Sequence, residues 1–325
     1  MSEPKILVTR RIPDAGLEIL EEKAEIEVYE GDAPISRGEL IDRVKDKQGL
    51  LCLLSDKVDA EVMDSAPELK VISNYAVGFD NIDVDAATDR GIMVTNTPGA
   101  LTEATADLTW ALIMSAARRI PESDAFMRAG RYEGWGPKLL LGRDVYGKTI
   151  GIIGLGDIGS AVARRARGFD MRILYHSRHR KPEKEEELGA EYAELDDLIK
   201  ESDFLSPHVP LTEGTRHLIG ERELDMMKDA AILINVSRGE VIDEGALVSA
   251  LEEGRIAYAG LDVYENEPEM APGLANLPNT VLTPHTGSAT YTARDEMAVM
   301  AANDIILGIQ GKRPENLVNR EVMGD

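Results

Sequence analysis

The sequence predicts an α/β protein carrying two doubly wound parallel sheets, on three observations. Apolar runs of strand length alternate with helical segments almost throughout, the βαβα rhythm of a helix-covered parallel sheet. The rhythm breaks once, at a long helical stretch, and then begins again. The 325 residues, 43% of them hydrophobic, are enough for two cores.

Taken in order, Lys5–Thr9 reads as a strand and Asp14–Lys23 as a helix, followed by strands at Gly49–Leu54, Leu69–Asn74 and Ile92–Thr95. Thr102–Ala129 reads as one long helix with apolar residues at helical spacing, and Pro98–Gly99 before it as a hinge. Residues 134–147 are loop-like. A second series starts at Lys148 with six strand candidates: KTIGIIG, MRILYHS, DFLSPHV, AAILINVS, AYAGLDV and TVLTPH. Six is the number that a full doubly wound nucleotide-binding sheet uses. Between the second and third, EKEEELGAEYAELDDLIKE reads as helical, its charge run a solvated face. Glu244–Glu253 and Tyr291–Gly311 are further helices, the last expected to pack back on the first domain. The expected domains are residues 1–99 with 290–325, and 100–289.

Composition narrows the function. Thirty-six basic against 59 acidic residues give a formal charge of −23, which repels nucleic acid and anionic membranes. No apolar run approaches the ~18–20 residues of a membrane span. The start, MSEPKILVTRR, lacks the apolar core of a signal peptide. The single cysteine, Cys52, fits a reducing, cytoplasmic setting and, within GLLCLL, reads as a small buried hydrophobe. An anionic ligand must find positive charge inside this acidic shell, so arginine clusters carry weight.

Gly154-Leu155-Gly156-Asp157-Ile158-Gly159 matches G-x-G-x-x-G, follows the strand Thr149–Ile153 and opens a helix over Ser160–Gly168. That context makes it a dinucleotide fingerprint. Gly154 allows the tight turn, Gly156 lets backbone approach a pyrophosphate, and Gly159 lets helix and strand pack; the helix N-terminus offers N–H groups to the phosphates. The second domain is therefore expected to be a Rossmann domain. An NAD site usually places Asp or Glu at the end of the next strand. Here that end is Tyr175-His176-Ser177-Arg178-His179-Arg180-Lys181. Ser177 can hydrogen-bond a 2′-phosphate and Arg178 can pair with it, so NADP(H) is expected over NAD(H), with NAD(H) as a secondary cofactor. The competing reading is a basic surface turn.

Arg238, Glu267 and His285 each follow a later strand, where such folds place ligands. A strand-end histidine is more often structural, Arg238 could be a capping or surface arginine, and Glu267 lies in an acid-rich loop beside Glu265 and Glu269. The motifs resolve this. GLLCLLSDKVD, SNYAVGFDNID, GIIGLGDIG, the SRHRK turn, NVSRGEVID, GLDVYENEP and TPHTGSAT, in this order, closely resemble the D-isomer-specific 2-hydroxyacid dehydrogenases, and within them the glyoxylate/hydroxypyruvate reductases. The resemblance spans essentially the whole chain and implies two Rossmann-like domains with an active-site cleft between them. It implies His285 as acid–base, Glu267 as its partner, and Arg238 as the clamp on the substrate carboxylate. Val77 and Gly78 would bind that carboxylate through backbone N–H groups, and Leu53 and Ser55 would wall the side-chain pocket. Asp262 would orient the nicotinamide, with Thr105, Val209, Pro210, Thr215 and Val236 as further cofactor contacts. Trp135 matches a tryptophan reaching into a neighbouring subunit, against an ordinary interface or surface anchor; either suits a homodimer. Trp110 reads as plain packing. The implied substrate is a small 2-keto acid such as glyoxylate or hydroxypyruvate. No metal site is expected, since there is no cysteine cluster or close histidine pair. The rivals are a 3-phosphoglycerate-type or other D-2-hydroxyacid dehydrogenase using NAD, disfavoured by the SRHRK turn; a formate dehydrogenase, disfavoured by Glu267; and a non-catalytic dinucleotide-sensing interaction protein, disfavoured by the intact polar triad.

Overall fold

The computed structural model describes residues 3–324. The chain divides into two compact units, one running up to Leu101 and resuming from Ser288, the other spanning Thr102–Gly287. The first unit contains β1 (Lys5–Val8), α1 (Asp14–Glu21), β2 (Glu25–Val28), α2 (Arg37–Val44), β3 (Gly49–Cys52), α3 (Ala60–Asp64), β4 (Val71–Asn74), α4 (Val84–Asp89) and β5 (Met93–Thr95). The second contains α5 (Thr102–Ala117), α6 (Ile120–Arg128), β6 (Thr149–Ile153), α7 (Asp157–Ala166), β7 (Arg172–His176), α8 (Pro182–Leu188), β8 (Ala190–Tyr192), α9 (Leu195–Glu201), β9 (Phe204–Pro207), α10 (Glu221–Met226), β10 (Ile232–Asn235), α11 (Glu244–Glu252), β11 (Tyr258–Leu261) and β12 (Thr280–Leu282). The chain then rejoins the first unit as α12 (Tyr291–Ile309).

The first sheet has the order β2-β1-β3-β4-β5 and the second β12-β11-β10-β9-β6-β7-β8, and every strand pairing is parallel. Their central strands are buried along their whole length, as in GLLC of β3, VISN of β4 and ILIN of β10. This is what a parallel sheet covered on both faces requires. Cys52 is fully buried and burial pushes its thiol pKa well up, so it packs as a hydrophobe.

α12 belongs to the first unit for specific reasons. Its N-cap Thr290 accepts from Ala293 N. Ser73 Oγ of β4 donates to Ala301 O at 3.1 Å, and Tyr75 Oη donates to Arg294 O at 2.7 Å. In the second unit Trp110 stacks on Phe169 with ring centroids 4.7 Å apart and gives its indole N–H to Val162 O at 3.2 Å. This is the packing role expected for it; truncating such a tryptophan typically costs about 3–5 kcal/mol.

Three local expectations need correction. The helix read over Thr102–Ala129 is two, broken at Arg119, whose φ is 54°. Pro121 has no N–H for Ala117 O, and that carbonyl instead accepts from Arg143 N at 2.7 Å. The segment read as helical from EKEEEL to DDLIKE is α8, β8 and α9; Gly189 ends α8 in the left-handed region at φ 67°, and Ala190–Tyr192 adds a seventh strand. The edge strand β2, Glu25–Val28, alternates strictly as EIEV but carries only two apolar residues, too short a run to be read as a strand. No helix among the described residues is long and apolar enough to cross a membrane.

Candidate active site

Three neighbouring strand ends of the second unit gather polar groups. After β10, Asn235 is buried and fixes the following turn: its amide donates to Arg238 O at 2.8 Å, and its Oδ1 accepts from Ser237 N at 3.0 Å and Ser237 Oγ at 2.8 Å. This seats the half-buried Arg238. After β11, Tyr264 N donates to Glu267 Oε1 at 3.1 Å and curls the loop back. After β12, His285 sits in the left-handed region at φ 51°, which is unfavourable for a non-glycine residue and is common at functional sites.

Asp262, 1% exposed, pays for that conformation. Its carboxylate accepts from Thr283 Oγ1 at 2.6 Å, Thr286 N at 2.7 Å, Thr286 Oγ1 at 3.1 Å and Gly287 N at 2.8 Å. Its carbonyl accepts from His285 N at 2.8 Å. The role implied for Asp262 was at the nicotinamide; here its side chain braces the turn that carries His285. The His285 Nδ1 lies 2.8 and 3.1 Å from the two Glu267 oxygens, with the side chains 26% and 31% exposed. Burial is the largest influence on Glu267 and pushes its carboxyl up. The hydrogen bond and charge of His285, the Tyr264 N–H and the Arg238 charge together outweigh it, and the net shift is downward. An ionised Glu267 can only accept, so Nδ1 carries a proton and Nε2 is the nitrogen that exchanges one. An imidazole oriented in this way, with a guanidinium acting on the same carboxylate, suits proton transfer to an oxygen held near a cation.

The glycine turn lies at the end of β6. At Gly154, φ is 97° and a Cβ would fall 2.5 Å from His208 O and 2.9 Å from Val209 Cγ1, so the turn rests on the loop after β9. A Cβ on Gly159 would fall 2.1 Å from Gly154 O. Gly156 differs: φ is −75° and a Cβ meets nothing within 4 Å. The open space there, with α7 starting at Asp157 without a side-chain cap, fits a pyrophosphate on free backbone N–H groups. Leu155 N donates to Ser177 Oγ at 3.2 Å, so the end of β7 and the turn form one surface. Arg180 is engaged by Glu185 at 2.7 Å, whereas the exposed Arg178 has no carboxylate partner among the described residues. Lys181 Nζ reaches Leu155 O at 2.8 Å and Lys184 Nζ reaches Ser160 Oγ at 2.6 Å. Lys184 was hidden in the sequence inside a charge run; its position three residues after Lys181 at the start of α8 was the available signal. Past β9, the Thr215 hydroxyl donates to Pro210 O at 2.7 Å and closes that loop. Val236 and Thr105 are buried. Burial lowers His208 to about 4, which keeps it neutral, and its Nε2 lies 2.9 Å from Ser206 Oγ.

In the first unit, Val77 and Gly78 follow β4 in a turn whose carbonyls point into protein. Asn96 donates to Val77 O at 2.7 Å and Asn74 to Gly78 O at 2.8 Å. Their N–H groups have no acceptor among the described residues. Asn81 donates to Leu53 O and Asp56 O, both at 3.1 Å, and so ties the Leu53–Ser55 segment to this turn. Asn74, Asn81 and Asn96 were missed as site-builders, although two of them lie in SNYAVGFDNID. Trp135 stands 83% exposed in the loop after α6. Among the described residues no His, Cys, Asp and Glu group could hold a metal.

The glycines make separable predictions. Gly156→Ala should fold with an unchanged Tm but raise the dinucleotide Kd at least tenfold, measured by calorimetry. Gly159→Ala should instead lower Tm through its clash with Gly154. Equal dinucleotide affinity in Gly156→Ala and the wild type would remove the case for a close pyrophosphate.

The sequence pattern of the D-isomer specific 2-hydroxyacid dehydrogenase NAD-binding domain matches residues 110–287. The chain is 54% identical to a glyoxylate reductase of Thermococcus onnurineus, covering 99% of this chain and 97% of that protein. It is 51% identical to one of Aeropyrum pernix, covering 99% and 98%. Its structure superposes with a TM-score of 0.86 on an NADPH-dependent glyoxylate/hydroxypyruvate reductase of Sinorhizobium meliloti solved with NADP and malonate, at 36% identity and covering 98% and 97% of the two chains. With the glycine turn, the strand-end polar groups and these relationships in agreement, the chain belongs to the D-isomer specific 2-hydroxyacid dehydrogenases and is an oxidoreductase that uses a nicotinamide dinucleotide.

Proposed function

We propose that the protein reduces glyoxylate and hydroxypyruvate to glycolate and D-glycerate, with NADPH preferred over NADH. The observation that carries the chemistry is the 2.8 Å contact of His285 Nδ1 with Glu267. The bound cofactor supplies hydride to the carbonyl carbon. His285 Nε2–H donates its proton to the carbonyl oxygen, and the imidazole regains a proton from solvent. Glu267 holds the ring through Nδ1. Arg238 holds the substrate carboxylate and polarises the carbonyl. Val77 and Gly78, whose N–H groups have no acceptor among the described residues, are suited to bind a carboxylate. Leu53 and Ser55 wall the substrate side chain, and such a wall discriminates by only about 1–3 kcal/mol per methylene, so several small 2-keto acids are accepted.

The NADPH preference rests on the end of β7, where no carboxylate waits for a ribose 2′-hydroxyl. Ser177 sits against the glycine turn, Arg178 has no carboxylate partner among the described residues, and Lys181 and Lys184 add positive charge. The kcat/KM for NADPH should exceed that for NADH with glyoxylate, and Arg178→Ala should narrow the gap mainly through the NADPH KM. A wild-type preference for NADH would overturn the assignment. His285→Gln should lose about 10²–10⁴ in kcat while binding NADPH normally; turnover near the wild-type rate would remove His285 from the mechanism.

We further propose a homodimer. Helix α6 buries none of its residues, and Ile120, Met127, Trp135, Leu141 and Tyr146 stand 52%, 56%, 83%, 64% and 69% exposed along it and the following loop. Five large apolar side chains exposed within one segment of a chain of charge −23 favour a partner surface. A second copy supplies a matching one by two-fold symmetry. Light scattering should give twice the chain mass, and Leu141→Asp should give the single-chain mass. A monomeric wild type would refute this.

A further inference from the structure

One buried carboxylate in the second unit is not used by the mechanism above. Glu244 is the first residue of α11 and is 3% exposed. Burying a carboxylate is costly unless its oxygens are satisfied. Both are satisfied here, and only by backbone: Oε1 accepts from Glu265 N at 2.8 Å and Oε2 from Ala271 N at 2.9 Å. Those two N–H groups bracket the segment 266–270, which contains Glu267. The segment is closed on itself by Glu269 N donating to Asn266 O at 2.8 Å.

The start of the loop is also pressed from the side of Arg238. A Cβ on Gly239 would fall 1.9 Å from the Tyr264 carbonyl carbon and 2.4 Å from Glu265 N. The stretch 238–244 thus carries the guanidinium at one end and the buried carboxylate at the other, with the Glu267 loop seated against both. On the outer side, His217 Nε2 lies 2.7 Å from Glu265 Oε1, a contact open to solvent. The inner hold is dry and bidentate, the outer one exposed, and exposed ion pairs contribute little.

We propose that Glu244 is a positioning residue for the acid–base pair. By pinning both ends of the loop to the Arg238 stretch, it keeps the Glu267 carboxylate at hydrogen-bond distance from His285. This rests on the reading of Glu267 and His285 as the acid–base pair. A misplacement of about 1 Å at such a site can cost about 10²-fold in rate. Glutamine at this position keeps one acceptor and turns an NH₂ toward the other backbone N–H, so it releases one end of the loop.

The test is a double-mutant cycle on the full-length enzyme with Glu244→Gln, Glu267→Gln and the pair, read as kcat, the KM for NADPH and the pH profile of kcat/KM. Glu244→Gln should lower kcat roughly 10–100-fold, leave the KM for NADPH within about twofold, and shift the pH profile in the same direction as Glu267→Gln. The double mutant should be no slower than Glu267→Gln alone, because a holder has no effect once the held group is gone. Losses that multiply in the double mutant, or an unchanged kcat in Glu244→Gln beside a slow Glu267→Gln, overturn the proposal. A fast Glu267→Gln overturns the underlying acid–base reading instead. If Glu244→Gln does not fold, Glu244→Asp, which keeps the charge and withdraws it by one methylene, takes its place in the cycle.

Discussion

Asp262 draws the end of β12 onto the end of β11 through four side-chain hydrogen bonds. The left-handed conformation of His285 depends on them. A non-glycine residue at φ 51° needs its surroundings to over-determine it. Asp262 provides this with a buried side chain whose Oδ1 accepts three of the four bonds and Oδ2 the fourth. From that turn the imidazole meets Glu267, and Glu267 is in turn set by the Tyr264 N–H and the loop anchored on Glu244. The His285–Glu267 pair is thus the solvent-facing tip of a buried hydrogen-bond scaffold. Only the tip needs to face a reactant; the rest buys orientation.

The sequence revealed those parts whose chemistry is local. The glycine turn was legible because a tight turn, a close approach and a helix start each require glycine or an N-terminus within six residues. The end of β7 was legible because its missing acid and its cluster of cations are adjacent in the chain. Arg238, Glu267 and His285 could be placed at strand ends, but their bland alternatives were excluded only by motifs shared with a family. Glu244 and Asp262 show the limit. Each acts on segments some 20 to 27 positions away, and nothing in a one-dimensional pattern says which backbone N–H a buried acid will meet. The same holds for Asn96 and Asn74, whose amides turn the carbonyls of residues 77 and 78 inward, and for Asn81, which ties in Leu53 O and Asp56 O.

The misread elements have equally local causes. A run of apolar and helix-favouring residues over 102–129 conceals a break, because proline is tolerated in the first turn of a helix and so does not by itself announce a new one. In EKEEELGAEY the helix propensity of the charged run outweighed the glycine that ends it. The edge strands β2 and β8 are short and half polar, as edge strands are when their exposed side must discourage further pairing.

The break at Arg119 reaches beyond secondary structure. Because Ala117 O is bonded to Arg143 N, the chain leaves the buried core of the second unit after Ala117 and returns to the same place some two dozen residues later. That excursion is a closed circuit with a fixed neck. It contributes no residue to either buried cluster of the second unit. The excursion and the His285 scaffold are thus separate stretches of one chain, each closed by its own hydrogen bonds.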